Sequence, residues 1–456
     1  MPELKRQLGL LDSTMINLGT IIASAIFIVP STIAAGLGAT LPTILVWVVG
    51  GLVSLLGALS VAELGAAMPE AGGQYAYLTR AYGPVWGYLY GWTSGVVINP
   101  ASIAAIAVGF ATYVGVFVPL DDAGVKLVAV LSIAALTALN CFGVKLGAVT
   151  QNILTLIKTG LVVVLIAVAF ALPGGSTANF SPLWSDAPLG HQVGAFGVAL
   201  VAALWAYDGW IEITYVGSEV TDPERNLPRS IVLSTVIAVV LYCLVTASFA
   251  YVLSPAKMAA SGLVASDAAQ VTLGPRGAGF VAAAILIATL GSNNGIILTA
   301  ARVPYAMARD GRLPSWLAGV HPRFLTPVPS LVAQGVISIL LTWISTEPSW
   351  KGTYSRLFTY VVLGEFLFYG LSCSAVIILR RRAPGLARPY RTWGYPITPL
   401  LFVLFALWLI VNTAREQLAD FAVGMALILL GLPLYWAWNR AVRRSGQRGL
   451  EVEAPR

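Results

Sequence analysis

Residues 13–62 read STMINLGTIIASAIFIVPSTIAAGLGATLPTILVWVVGGLVSLLGALSVA, and this stretch contains no Asp, Glu, Lys or Arg. It is bounded by Asp12 on one side and by Glu63 on the other. A helix needs about 20 apolar residues to cross the hydrocarbon core of a bilayer, so the stretch is long enough for two crossings. Similar charge-free runs follow along the chain, which predicts an integral membrane protein built from helices.

The composition indicates the same class. The chain has 456 residues, of which 57% are hydrophobic and 10% are charged, whereas soluble domains carry roughly 25% charged residues. The apolar runs are continuous and lack the alternation of membrane-spanning strands. We therefore predict an all-α membrane fold of about twelve spans. They are numbered in chain order: 9–37, 42–66, 83–117, 127–143, 146–172, 191–218, 230–253, 276–308, 328–346, 354–380, 393–414 and 419–439.

Lys and Arg predict the orientation of the chain, because they are enriched in cytoplasmic loops. With twelve spans, both termini lie on one side of the membrane, called here the terminal side. Of the 27 Lys and Arg residues, this side receives Lys5, Arg6, Arg80, Lys145, Arg225, Arg229, Arg302, Arg309, Arg312, Arg323, Arg380, Arg381, Arg382, Arg388, Arg391, Arg440, Arg443, Arg444, Arg448 and Arg456. The opposite side receives Lys126, Lys257, Arg276, Lys351, Arg356 and Arg415, and Lys158 falls inside the membrane. We expect cytoplasmic termini, a polar tail at 440–456 and a location in the plasma membrane.

No pattern in the sequence indicates an enzyme. The three cysteines, Cys141, Cys243 and Cys373, fall in predicted spans without the spacing of metal ligands. The chain has two histidines, no nucleophile motif and no phosphate-binding loop, so we expect neither a cofactor nor a metal site. The net charge of +7 follows from the Lys and Arg asymmetry and does not indicate nucleic acid binding.

Two spans contain unusual interruptions. Span 1 contains GTIIASAIFIVP at 19–30, and span 6 contains WAYDGW at 205–210. Each span would open a block of five helices if spans 1–5 and 6–10 were repeats. Interrupted helices at corresponding positions of two halves are typical of a binding site at the membrane midplane in inverted-repeat transporters. Small residues inside a span also permit close helix packing, so this alternative stays open at this point.

The chain resembles the amino acid–polyamine–organocation superfamily, and within it the L-type amino acid transporters and bacterial serine/threonine exchangers. The resemblance covers residues 8–440 and depends on the span 1 segment and three further stretches. These are MPEAGGQYAYL at 68–78, WAYDGWIEITYVGSEVTDPERNLPR at 205–229, and ARVPYAMARDG at 301–311 together with HPR at 321–323 and TPVP at 326–329.

The resemblance implies one membrane transport domain with a LeuT-type fold. In this fold, 9–172 is the first five-helix repeat and 191–380 the inverted second one, with broken helices 1 and 6. Residues 393–439 form two additional helices. The resemblance also implies sodium-independent amino acid transport, often by obligatory exchange. The family's mammalian members have a cysteine between spans 3 and 4 that joins a glycoprotein partner. Here the loop at 117–124 has none, so we expect no disulfide-linked heavy subunit.

The resemblance assigns the substrate carboxylate to Ser24 and to the backbone of Ile22, Ala23, Ala25 and Ile26. The family has Gly-Ser-Gly here, whereas this chain has alanines at 23 and 25. Alanine resists positive φ and fills space near a ligand. We therefore expect a stiffer break or a shifted substrate.

On span 6, Trp205 matches an aromatic gate. The resemblance implies that the backbone at Ala206 faces the substrate ammonium, and Asp208 is expected either to cap the broken helix or to attract that ammonium.

Lys158 lies near the middle of span 5, thirteen residues beyond Lys145. In the resemblance, a lysine here reaches the span 1 break and replaces a sodium ion, and a proton-coupling role stays open. Glu365 in span 10 stands where the family often has Asn. It is a candidate to hydrogen-bond or pair with a substrate, or to bind a proton. Asn294 is either a polar group of the cavity or an interhelical hydrogen-bonding residue.

Three functions follow from these residues. The leading hypothesis is an exchanger of small or medium neutral L-amino acids that works by alternating access. Glu365 and Asp208 suggest a second, a proton-coupled transporter of cationic amino acids or polyamines. The alanines in span 1 motivate a third, a membrane amino acid sensor that binds its ligand without transporting it.

Overall fold

The computed structural model describes residues 3–344, 350–416 and 418–452. Arg456 and the side chains of Lys351, Arg356, Arg443, Arg444 and Arg448 lie outside this part of the chain. Every regular element between the described termini is helical, which confirms the predicted all-α membrane class. Within these described ranges, ten helices are long and apolar enough to cross a membrane, and one bent pair of helices is long and apolar enough to form a further span.

Each of the twelve predicted ranges overlaps a helical segment. Span 1 consists of two halves, Leu10–Ile21 and Ala25–Leu37, which meet at an angle of 41°. Span 9, Val328–Ile344, has 17 residues and directly precedes the part that is not described. The other spans, in order, are Thr40–Ala67, Pro84–Val114, Asp122–Cys141, Val144–Ala171, Leu189–Ala206, Pro223–Val252, Arg276–Arg309, Val361–Arg382, Ile397–Arg415 and Leu418–Val442.

Span 6 is shorter than the predicted range 191–218. Its α-helix ends at Ala206, and a turn leads into the 3₁₀-helix Glu212–Glu219. Gly209 in this turn has a φ of 100°, a conformation that a residue with a Cβ adopts only with strain. The α-helix therefore stops inside the membrane range, within the WAYDGW segment.

Shorter helices connect the spans. Gln74–Tyr82 lies between spans 2 and 3 on the terminal side. Pro255–Ala260 and Val264–Leu273 occupy the connection between spans 7 and 8. Two 3₁₀-helices, Thr177–Phe180 and Ser315–Ala318, complete the connections.

Span 1 lies at the centre of the bundle. Its first half packs against spans 5, 7 and 8, and its second half packs against span 6. Spans 5, 6 and 11 expose large apolar side chains such as Leu156, Val193 and Leu404. Lipid is the solvent for such side chains in a membrane protein. The break of span 1 is therefore enclosed by other spans, whereas span 6 has one face on the lipid-facing surface.

Candidate functional site

A cavity of about 80 Å³ lies between the break of span 1 and the end of the span 6 helix. One buried water needs roughly 10–15 Å³ of such volume, so the cavity has room for several waters or a small ligand. Its lining is mostly small and apolar. It comprises Thr20, Ile21, Ala23, Ser24, Ala25, Ala101, Ser102, Ala105, Ile106, Trp205, Ala206, Asp208, Ile296 and Val361.

On one side the cavity faces the start of the second half of span 1. Ala23, Ser24 and Ala25 line it, and the helix begins at Ala25. The first amide N–H groups of a helix have no partner within the helix, and the helix dipole adds partial positive charge there. This end of the cavity suits a carboxylate. The backbone of Ile22 and Ile26 was also predicted here; neither residue is in the cavity lining, and both side chains pack in the apolar core.

The alanines at 23 and 25 fit the backbone of the break. The described residues with positive φ and a side chain are Asp222 and Leu325, so Ala23 and Ala25 have ordinary negative φ values. The backbone of the break therefore requires no positive φ at either alanine. Both residues face the cavity, where their methyl groups narrow the space that glycines would leave.

On the other side the cavity faces the end of the span 6 helix, where Trp205, Ala206 and Asp208 line it. The last carbonyl groups of a helix lack partners within it and carry partial negative charge, which suits an ammonium. Span 1 fixes the turn that follows. Thr20 Oγ1 donates to the carbonyl of Gly209 at 3.0 Å, and Asn17 Nδ2 donates to the carbonyl of Trp210 at 2.7 Å.

Lys158 is fully buried and reaches the break of span 1 from span 5. Its ammonium donates to the carbonyl of Gly19, to Ser292 Oγ at 3.3 Å and to the carbonyl of Ala288 at 3.4 Å. Within the described residues it forms no ion pair with a carboxylate. The ammonium therefore satisfies backbone and hydroxyl oxygens in the way that a bound metal cation would.

Two further side chains donate hydrogen bonds to carbonyl groups at the break of span 1, and the sequence analysis missed both. Tyr242 of span 7 donates to the carbonyl of Ile21 at 2.7 Å. Ser292 of span 8 lies 3.1 Å from the carbonyl of Gly19 and 3.3 Å from that of Ile22. Unpaired carbonyl groups are costly at membrane depth, so these contacts stabilise the interruption. The only signal for them in the sequence was the polarity of two residues within apolar spans.

Three carboxyl groups, of which Glu212 and Glu365 are buried and Asp208 is half-buried, gather beside the cavity. Glu365 of span 10 lies within hydrogen-bonding distance of Asp208, and Glu212 is close to both. Tyr369 donates to Asp208 Oδ1 at 2.6 Å, and Thr299 donates to Glu212. Glu365 Oε2 has no hydrogen-bond partner in the described structure. Carboxylates this close repel one another when all are ionised, so a proton or a cationic ligand beside them would relieve the repulsion.

Asn294 lies outside the lining of the cavity. Its amide accepts from Asn140 Nδ2 at 2.9 Å and donates to Gln151 Oε1 at 2.8 Å. These contacts join span 8 to spans 4 and 5, which is the interhelical arrangement that the sequence left open. No group of three His, Cys, Asp or Glu residues positioned to hold a metal ion occurs within the described ranges.

The terminal side of the cavity is closed by polar contacts. Arg302 and Glu219 form a fully buried ion pair, with Nε 2.7 Å from Oε1. Gln74 Oε1 accepts from Tyr215 at 3.0 Å. Tyr75 donates to Asp310 Oδ2 at 2.8 Å. Burial and the Asp310 carboxylate raise the pKa of Tyr75, so its phenol remains a donor. The sequence placed Glu219 on this side but gave no indication of its partner.

These features define a class: a multi-pass membrane transport protein with a small, polar-ended cavity at the break of a central span. The chain belongs to the amino acid permease family, whose model matches residues 8–433. It is 32% identical to the b(0,+)-type amino acid transporter 1 of Mus musculus, over 99% of this chain and 93% of that protein. It is 29% identical to the Serine/threonine exchanger SteT of Bacillus subtilis (strain 168), over 96% of this chain and 98% of that protein.

A third relative is the Large neutral amino acids transporter small subunit 2 of Homo sapiens, 32% identical over 95% of this chain and 80% of that protein. The family and these relatives are transporters and not enzymes. The chain is therefore a multi-pass membrane protein of amino acid transport.

Proposed function

We propose that the protein is a sodium-independent exchanger of small or medium neutral L-amino acids that works by alternating access. The single observation that supports this most is the cavity with a helix N-terminus at one end and a helix C-terminus at the other. A zwitterion needs both ends: amide N–H groups for its carboxylate and carbonyl groups for its ammonium. The binding groups are Ala23, Ser24 and Ala25 on span 1, and Trp205, Ala206 and Asp208 on span 6.

The side-chain end of the cavity supports a neutral substrate of limited size. Ala101, Ser102 and Ala105 of span 3 form one wall, and Ile296 and Val361 form another. The wall is apolar except for the Ser102 hydroxyl, so it offers burial to a short aliphatic or hydroxyl-bearing side chain. The names of two relatives, a serine/threonine exchanger and a large neutral amino acids transporter, agree with neutral substrates.

The position of Lys158 supports the sodium independence that we propose. Its ammonium donates hydrogen bonds to the Gly19 carbonyl and to Ser292 Oγ. An alkali cation would need oxygen ligands of this kind. A fixed positive charge disfavours a second cation at the same oxygens. The transport cycle therefore needs no sodium ion at this place.

The fold that goes with this function is a LeuT-type arrangement, with residues 9–172 and 191–380 as inverted repeats and 393–439 as two additional helices. The orientation that we propose has both termini, and the tail 440–456, in the cytoplasm, and the protein in the plasma membrane. We propose no disulfide-linked heavy subunit, since the loop 117–124 lacks a cysteine.

Counterflow in proteoliposomes tests the exchange function. We expect labelled neutral amino acid to enter vesicles loaded with unlabelled amino acid, without sodium, and not to enter empty vesicles. The variant Ser102→Leu fills the cavity and should reduce exchange by more than tenfold. The matched control, Ser132→Leu on span 4, should leave it unchanged. Binding without any uptake would instead identify a sensor, and uptake into empty vesicles driven by a pH gradient would contradict obligatory exchange.

A second candidate function is favoured by the carboxyl groups beside the cavity. Glu212 and Glu365 are buried, Asp208 beside them is half-buried at the cavity wall, and none of the three forms an ion pair within the described residues. One charged residue at membrane depth costs roughly 2.5–3.5 kcal/mol. A cationic amino acid, a polyamine or a proton would offset that cost. The protein would then be a proton-coupled transporter of cationic amino acids or polyamines.

The variant Glu365→Gln separates the two candidates. It keeps the shape of the side chain but removes one charge and one proton-binding group. If the second candidate is right, cationic substrates should lose at least tenfold in uptake relative to neutral ones, or uptake should lose its dependence on a pH gradient. If the first is right, the substrate profile should stay the same. Glu70→Gln, an exposed carboxylate on the terminal side, is the control.

A further inference from the structure

A larger cavity opens on the terminal side, away from the substrate cavity. It is a groove of about 470 Å³ between spans 3, 9 and 12 and the segment 304–317, and is called here the 3/9/12 groove. An apolar cavity of about 150 Å³ accommodates one benzene molecule, so this groove has room for a considerably longer hydrocarbon chain. The residues used below are Gly95 on span 3, Leu313 in the segment, Gln334 on span 9 and Trp438 on span 12.

The groove lies at the depth of lipid acyl chains. Gln334 follows the start of span 9 at Val328 by six residues, or about 9 Å of helix. Tyr88 and Trp92 of span 3, together with Trp438 of span 12, also line it. Such aromatic residues are enriched at membrane interfaces. Trp438 Nε1 donates to the carbonyl of Gly311 at 2.9 Å, which fixes one wall of the groove.

The guanidinium of Arg312 lies beside the groove and has no carboxylate partner among the described residues. Arg312 precedes the lining residue Leu313, and its Nη1 donates to Asn439 Oδ1 at 2.8 Å. Its guanidinium lies 5.6 Å from the ring centre of Tyr435. Within the described residues no Asp or Glu lies within ion-pair distance of it. A guanidinium fixed in this way retains donors for a phosphate.

The groove is also lined by a residue with an unpaired hydrogen-bond donor. Gln334 lines it and is buried, and its amide Nε2 has no hydrogen-bond partner among the described residues. A buried donor without an acceptor is costly. The ester carbonyls at the head of a glycerolipid acyl chain are acceptors found at this depth of a bilayer.

We propose that the 3/9/12 groove is a binding site for one anionic glycerophospholipid from the leaflet on the terminal side. Its acyl chain fills the apolar groove, and its phosphate contacts Arg312. The excess of Lys and Arg on this side gives the charge complementarity that attracts anionic lipid. The site is separate from the substrate cavity, although both border span 3, where Gly95 lines the groove and Ser102 the cavity.

Lipid retention by the purified full-length protein tests the proposal without any transport assay. The protein is depleted of lipid in detergent and titrated with phosphatidylglycerol or with phosphatidylcholine of identical acyl chains. Bound lipid is counted by native mass spectrometry, and the unfolding temperature is followed in parallel. We expect one phosphatidylglycerol per chain to bind in preference to phosphatidylcholine and to raise the unfolding temperature of the protein.

Two variants and one control locate the lipid. Arg312→Gln should weaken phosphatidylglycerol binding by about tenfold or more, the effect of losing one charge-assisted hydrogen bond. Gly95→Leu should block the acyl chain, and a Cβ at Gly95 meets no atom within 4 Å, so the fold has room for it. Arg323→Gln, an exposed arginine that does not line the groove, should bind lipid like the unaltered protein.

Three results would overturn the proposal. One is equal binding of the two phospholipids, and another is an Arg312→Gln variant that behaves like Arg323→Gln. The third is competition by glycerol phosphate alone, since this would indicate a headgroup site without an acyl chain. A failure of Gly95→Leu to fold leaves the Arg312→Gln comparison as the deciding measurement.

Discussion

The ammonium of Lys158 and the carbonyl of Gly19 meet inside the bundle, out of contact with solvent. Lys158 is fully buried, and an unpaired ammonium at such a depth is among the costliest groups that a membrane protein can hold. It is tolerated because the break of span 1 exposes carbonyl groups that need a donor. The break and the lysine therefore stabilise one another, and neither is expected to persist unchanged without the other.

Lys158→Met tests this dependence. The variant keeps the length of the side chain but leaves the Gly19 carbonyl with Ser292 as its remaining side-chain donor. We expect a loss of about 1–3 kcal/mol in the free energy of unfolding, and at least a tenfold loss of exchange. Lys145→Met is the matched control, because Lys145 also joins span 5 to span 1, through Asp12 at 2.7 Å, but is 53% exposed. Its loss should cost less than about 1 kcal/mol. Full exchange by Lys158→Met would refute the role of the ammonium.

At the scale of the element, the sequence was sufficient to place the spans. Crossing a bilayer imposes a length and an apolar composition on every span, and both can be read without knowing any neighbour. The run 13–62 predicts two spans, and the structure has span 1 and the helix Thr40–Ala67 there. The position of the span 6 break was also apparent, because Gly209 in WAYDGW permits a backbone that other residues resist.

The partners of the broken elements were much harder to predict. Tyr242 lies more than 200 positions from the Ile21 carbonyl to which it donates. Its role depends on how span 7 packs against span 1, which hydrophobic periodicity does not specify. The same holds for Glu212, which no motif singles out and which accepts a hydrogen bond from Thr299 of span 8. Asn294 had two interpretations of equal merit, and only the packing of spans 4 and 5 against span 8 decides between them.

At the scale of the whole molecule, the structure is closed on the terminal side by contacts between distant parts of the chain. The backbone N–H groups of Gln7 and Leu8 donate to the carbonyl of Glu219, and the Glu219 side chain pairs with Arg302 of span 8. A substrate leaving on this side has to pass these contacts. In the alternating-access cycle that we propose, we expect the Arg302–Glu219 pair to separate in the state open to this side.

Glu219→Gln should shift the protein toward that open state. Removing one partner of a buried ion pair costs about 3–5 kcal/mol because the other charge is left uncompensated, and 3 kcal/mol is more than a hundredfold in an equilibrium. We expect a cysteine introduced at Ser102, in a chain whose three native cysteines are serines, to react faster with a membrane-impermeant thiol reagent applied from the terminal side.

Glu63→Gln distinguishes the opening of the closed side from a general loss of stability. Glu63 is also buried and paired with an arginine, Arg380, at 2.6 Å, but it joins span 2 to span 10, and the backbone N–H of Thr392 also donates to it at 2.7 Å. Its loss should lower the unfolding temperature without exposing a cysteine at Ser102. Equal labelling in the two variants would show that Arg302–Glu219 is a structural pair. Faster labelling in Glu219→Gln alone would assign to this pair the barrier between the substrate cavity and the terminal side.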